Sequence, residues 1–92
     1  MIHQHQNGNH GIFYVGEESD PLATMTYTMA TPEKMIINHT EVSDELSGKN
    51  IGFQLVTKAV EYARMSNIKI IPFCPYAKSV FDRKPELRDV LD

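Results

Sequence analysis

With 92 residues, a formal net charge of −3, 41% apolar residues and 23% charged ones, the chain can bury one modest core and no more. An acidic balance with scattered Lys and Arg, apart from a small C-terminal group, gives no general attraction to nucleic acid. The apolar fraction excludes wholesale disorder, no apolar run approaches a membrane span, and no signal-peptide pattern opens the sequence, so a cytoplasmic location is expected. The lone Cys74 excludes an internal disulfide, and the absence of any CxxC pair argues against a zinc site.

Residues 1–10 are rich in His, Gln and Asn and nearly empty of core formers, so a frayed terminus leading into an edge strand is expected. His3, His5 and His10 lack an accompanying carboxylate or cysteine, and their spacing matches no closed metal site. Ile12-Phe13-Tyr14-Val15 reads as the first firm strand, followed by a polar turn at residues 16–21. Residues 22–28 alternate, with Ala23, Met25 and Tyr27 on one face and Leu22, Thr24, Thr26 and Thr28 on the other. A break at Thr31-Pro32-Glu33 precedes a third strand over residues 34–40. Connections this short imply an antiparallel meander.

The pattern then changes. Ser43-Asp44-Glu45-Leu46 can form one helical turn, and from Ile51 the apolar residues Leu55, Val56, Ala59, Val60 and Ala63 recur at helical spacing. Asn67 is placed to end that helix in a left-handed conformation. A fourth strand, residues 69–74, contains Pro72, which lacks an amide donor and marks an edge. Strand, helix, strand is a crossover that normally joins parallel neighbours. Short helices over residues 76–81 and 85–91 complete a single α+β domain: about four strands in a mixed sheet covered by one long helix.

Between the third strand and the long helix lies Leu46-Ser47-Gly48-Lys49-Asn50-Ile51-Gly52. Two glycines four apart let the backbone approach a ligand, and the first amides of the helix have no intrahelical partner and carry positive partial charge. That combination suits a phosphate or pyrophosphate. Taken alone, it also suits a plain glycine-rich helix entry.

The element order resembles that of the GNAT superfamily of acetyl-CoA-dependent N-acetyltransferases, and in particular its miniature single-domain members. Three segments carry the resemblance in the right order: His39-Thr40-Glu41-Val42, the loop at residues 46–52, and Cys74-Pro75-Tyr76. Arg83-Lys84-Pro85-Glu86 resembles the ending of the same small proteins. The loop departs from the usual pattern, with Ser47, Lys49 and Asn50 where Arg, Gln and Gly are common. Asn tolerates the left-handed conformation and can cap a helix, while Lys49 can restore the charge that Ser47 lacks.

The resemblance implies that Ser47, Gly48, Lys49, Asn50, Ile51 and Gly52 hold the pyrophosphate of coenzyme A, with Glu41 and Val42 beside the pantetheine arm and Cys74 and Tyr76 near its end. Cys74 is either a thiol that takes the acetyl group in a ping-pong route or a buried filler. Its activation requires a helix N-terminus or a nearby imidazole such as His39. Tyr76 is a candidate proton donor to the departing thiolate, or a cap on the core. His39 and Glu41, two apart on one strand, are candidate general bases, or polar neighbours and nothing more. The expected activity is acetyl transfer to an unidentified amine. The alternatives are a coenzyme A or acyl-CoA binding module that acts with a partner protein, and a nucleotide site. The nucleotide reading lacks the Gly-Lys-Ser/Thr of a Walker loop. No metal, nucleic acid or membrane partner is expected, and an exposed edge strand leaves room for a monomer or a weak homodimer.

Overall fold

A computed structural model describes all 92 residues. Five strands form one sheet in chain order: β1 (Ile2–Asn7), β2 (His10–Glu17), β3 (Asp20–Thr31), β4 (Lys34–Val42) and β5 (Lys69–Pro72). The first three pairings are antiparallel. The last, between β4 and β5, is parallel and is made across the crossover helix α1 (Ile51–Ser66). α2 (Pro75–Arg83) and 3-10 turns at Asp44–Leu46 and Pro85–Val90 complete the α+β architecture. No helix is long and apolar enough to cross a membrane.

The expected frayed terminus is instead β1, paired with β2 from Ile2↔Val15 to Asn7↔His10. Its alternation was hidden because, after Ile2, amides rather than apolar side chains occupy its inner face. Gln4 Nε2 donates to Tyr27 Oη at 2.8 Å, and Tyr27 Oη donates to Gln6 Oε1 at 2.9 Å. These two glutamines satisfy the hydroxyl of a core tyrosine, which would otherwise be orphaned at considerable expense. The Tyr27 ring lies flat against Gly11, the residue it faces across the β2–β3 pair.

Phe13, Met25, Tyr27, Met35, Ile37 and Ile70 of the sheet pack against Leu55, Val56, Ala59, Val60 and Ala63 of α1. Ala77, Val80 and Phe81 of α2 and Leu87 and Val90 of the C-terminal turn close the same core. All helical elements therefore cover one face of the sheet. Asn67 ends α1 with φ 59°, and its N–H donates to Ala63 O. β5 is an edge strand that stops at Pro72, two residues earlier than expected, where the proline ring removes the next ladder donor. The histidines of the first strands lie on the uncovered face. His3 stacks on Tyr14, with ring centroids 5.2 Å apart, and His5 Nδ1 lies 3.6 Å from Glu18 Oε2, a carboxylate that sequence spacing did not bring near.

Candidate functional site

The site is shaped by one extra residue in β4. Tyr27 faces Ile37 and Thr26 faces His39, so Asn38 is a β-bulge. Strict alternation would have placed His39 and Glu41 on the buried face with Ile37. The bulge reverses the pattern, so that Thr40 faces Met25 and Val42 faces Ala23 on the helix side, while His39 and Glu41 face Thr26 and Thr24 on the open side. Asn38 is satisfied outward, its Nδ2 donating to Thr28 Oγ1 at 2.8 Å.

On the helix side, Thr40 and Val42 form one wall of a cavity of about 470 Å³. Ser43, Asp44 and Leu46 line its next edge, followed by Ser47, Gly48, Asn50, Ile51 and Gly52, and Tyr76 closes it from α2. The loop is built as the sequence suggests. Ser43 Oγ accepts from Glu45 N at 3.4 Å and starts the 3-10 turn, and Gly48 (φ 81°) and Asn50 (φ 61°) are both left-handed. Ser47 N–H donates to Asp44 O, Lys49 N–H to Leu46 O and Gln54 N–H to Asn50 O. The amides of Gly48, Asn50, Ile51 and Gly52 have no backbone acceptor. The Asn50 side chain makes no cap hydrogen bond, so the N-terminus of α1 stays open. Successive turns of this kind present clustered N–H groups to an anion.

The other expected residues divide. Tyr76 sits over Gly52: a Cβ on Gly52 would lie 2.6 Å from Tyr76 Oη. Gly52 is therefore required by a ring as much as by any ligand. Lys49 is exposed and does not line the cavity, its carbonyl accepting from Gln54 Nε2 at 3.3 Å. Val42 lines the cavity. The Glu41 side chain lies on the other face in a separate hollow with Pro21, Leu22 and Thr24, hydrogen-bonded to His39 (Nε2 to Oε1, 3.0 Å). The β4–β5 ladder ends at Ile37↔Pro72. There Cys74 N–H donates to Ile37 O at 3.0 Å, and the chain turns into α2.

Cys74 stands before the first turn of α2, 4% exposed, with Sγ 3.6 Å from Thr40 Oγ1, a cavity-wall residue. Burial works to raise its pKa. The opposing pull of the Ala77 amide, the Thr40 hydroxyl and the Tyr76 amide prevails, and the thiol lies below its ordinary value. No fully formed cap hydrogen bond is made by the sulfur, so these amides act chiefly through their dipoles. Of the two expected activators, the helix N-terminus is in place, whereas His39 is engaged with Glu41. Thr40 is the site residue that sequence reasoning missed. It lies inside the His-Thr-Glu-Val segment, but its inward direction depends on the bulge.

Comparison with known proteins follows the same outline. The family described as GCN5-related N-acetyl-transferase matches residues 12–90. A solved GCN5-like protein from Staphylococcus aureus is 37% identical, with 98% of this chain and 87% of that one covered at a TM-score of 0.77. A GNAT family acetyltransferase from Elizabethkingia anophelis, solved with acetyl-CoA bound, shares the fold at 13% identity, TM-score 0.64, covering 92% of this chain and 73% of that one. A ribosomal-protein-alanine N-acetyltransferase from Brucella melitensis biovar Abortus 2308 does so at 12% identity, TM-score 0.67, covering 84% and 62%. No curated protein sequence matches the chain.

Proposed function

Because the chain belongs to the GCN5-related N-acetyltransferase family, we propose that it binds acetyl-CoA in the loop cavity and transfers the acetyl group to an amine. The observation that carries this reading is the set of partnerless amides at Gly48, Asn50, Ile51 and Gly52 on the wall of a cavity of about 470 Å³. Four donors converging at a helix N-terminus hold a diphosphate without help from a side-chain cation. With the diphosphate there, the pantetheine arm runs along Thr40 and Val42 towards Cys74.

The amine approaches from the open face of the sheet, where His39 and Glu41 form a hydrogen-bonded pair. Its nitrogen attacks the thioester carbonyl, the C–N bond forms and the C–S bond breaks. The amine proton passes to the His39–Glu41 pair directly or through a water. The coenzyme A thiolate takes a proton from Tyr76, whose hydroxyl belongs to the residue that closes the cavity from α2. The acceptor itself is an amine of unassigned identity.

A second reading draws on the thiol. A Cys74 pKa below the ordinary value favours the nucleophilic form, so Cys74 could accept the acetyl group first. Incubation with acetyl-CoA and intact mass measurement then shows one added acetyl, absent in Cys74→Ala. Since the native thiol ionises at lower pH than a free cysteine, the loading rate stays flat below the usual thiol pKa and falls only once the pH drops through the lowered value. A Cys74→Ala variant with full turnover and no adduct in the parent protein reduces the residue to packing. The chain passes from β1 to β2 through the two-residue turn Gly8-Asn9, leaving little material for an acceptor pocket. Protein that binds acetyl-CoA yet turns over with no amine would favour a binding module.

A further inference from the structure

The two edges of the sheet differ. Outside β5, which is only four residues long and ends at Pro72, the C-terminal chain lies alongside: Leu91 bridges Ile70, and Asp92 N–H donates to Ile70 O at 3.0 Å. Outside β1 no strand is paired. β1 is six residues long and runs along β2 without a register shift, whereas the β2–β3 and β3–β4 ladders both contain shifts. It holds no proline, lysine or carboxylate, so the usual devices that keep a bare edge from pairing are missing. The next ladder fixes which of its backbone groups face outward. Met29 N–H donates to Asn9 O at 2.7 Å, which makes His10↔Thr28 a non-hydrogen-bonded pair and turns the His10 backbone towards β1. Asn7, His5 and His3 therefore bond to β2, and the N–H and C=O groups of Ile2, Gln4 and Gln6 point out from the edge. Water satisfies such groups on a bare edge. A chain that covers its other edge with its own C-terminus, and leaves this one unblocked, favours a strand.

We propose that β1 pairs antiparallel with β1 of a second copy of this chain, about a two-fold axis that passes through Gln4 normal to the sheet. Ile2 then stands opposite Gln6 of the second copy, Gln4 opposite Gln4, and His3 opposite His5. All the outward groups find partners, in about six backbone hydrogen bonds, where the register centred on His5 makes only about four. Each face keeps its kind: Ile2 and the two glutamines stay on the helix side, and the imidazoles on the open side. No carboxylate belongs to the paired strands, which matters in a chain of net charge −3, and Glu18 beside His5 adds a counter-charge rather than a repulsion. Two strands of this length bury well under the roughly 1,600 Å² of a standard interface, so the dimer is weak, with a dissociation constant on the order of 100 µM. It joins two five-stranded sheets into one, with every helix on one side and both His39–Glu41 pairs on the other. The pairing is independent of the coenzyme A reading.

Sedimentation equilibrium between about 20 µM and about 1 mM, at about pH 8 where imidazole is ordinarily neutral, tests it together with hydrogen exchange at the edge amides. At the top of that range the parent is expected to be about four-fifths dimer, and the amides of Ile2, Gln4 and Gln6 to exchange about fourfold more slowly than at the bottom. A His3→Lys, His5→Lys variant and a His3→Glu, His5→Glu variant each set like charges opposite one another. Each is expected to stay monomeric alone, and an equimolar mixture to form a heterodimer at least as tight as the parent dimer. Both positions are exposed, so both variants keep the parent's melting temperature within a few degrees. A parent that stays monomeric at about 1 mM, or that dimerises with these amides unprotected, would overturn the proposal. So would variants that dimerise alone as the parent does, or a mixture of them that stays monomeric.

Discussion

Replacing Gly11 by alanine is expected to lower the stability of the fold by about 3 kcal/mol, the upper end of what overpacking a filled core does. An added Cβ would lie 2.0 Å from Cζ and 2.3 Å from Oη of Tyr27. The ring has nowhere to go. Tyr27 is 1% exposed, it packs on Phe13 with centroids 5.2 Å apart, and its hydroxyl is held by Gln4 and Gln6. Relief therefore requires parting β1 from β2 or losing both glutamine hydrogen bonds. The gain from stiffening the unfolded chain, about 0.4–1 kcal/mol for Gly→Ala, is too small to offset this. In a domain of this size the loss corresponds to a melting temperature lower by about 15 °C. Combining it with Tyr27→Leu is expected to cost less than the two changes summed, because the smaller side chain makes room. An unchanged midpoint in the single variant would mean that the sheet absorbs the methyl group, and that β1 is held by something other than this tyrosine.

Gly52→Ala is expected to act in the opposite sense on stability and binding. Within a helix, alanine is favoured over glycine by up to about 1 kcal/mol, so thermal stability should hold or rise. The new Cβ would meet Oη, Cζ and Cε2 of Tyr76 at 2.6 to 2.8 Å. Tyr76 is 37% exposed, so its ring can swing outward, unlike that of Tyr27. The closing wall of the cavity is then lost, and coenzyme A affinity is expected to fall about tenfold or more. Paired measurement of melting temperature and dissociation constant separates the two effects. Lower stability together with unchanged affinity would show that Gly52 serves the helix alone.

Much of this was legible in the residues. Apolar spacing from Ile51 to Ala63 gave the crossover helix, and Asn67 gave its left-handed end. Phe13, Ala23, Met25 and Tyr27 lie on the buried face that alternation assigns them. The left-handed geometry of Gly48 and Asn50 also agrees with residue type. What stayed hidden depended on contacts from distant parts of the chain. β1 has only Ile2 as an apolar residue on its inner face, where Gln4 and Gln6 bond Tyr27, more than twenty residues away. The bulge at Asn38 has no local mark, yet it decides that Thr40 rather than His39 stands beside Cys74. Counting two residues from Ile37 therefore yields the wrong wall of the site. Lys49, read as a substitute charge for the loop, points elsewhere.

The central claim is that the loop at residues 46–52 grips coenzyme A through its free amides. Titrating coenzyme A into isotopically labelled protein while recording amide resonances tests it most directly. The account predicts saturable shifts, largest at Gly48, Asn50, Ile51 and Gly52 and extending along residues 41–46 and 74–77. Loop amides that stay in place while coenzyme A binds elsewhere, or that respond to no concentration of it, would contradict the account.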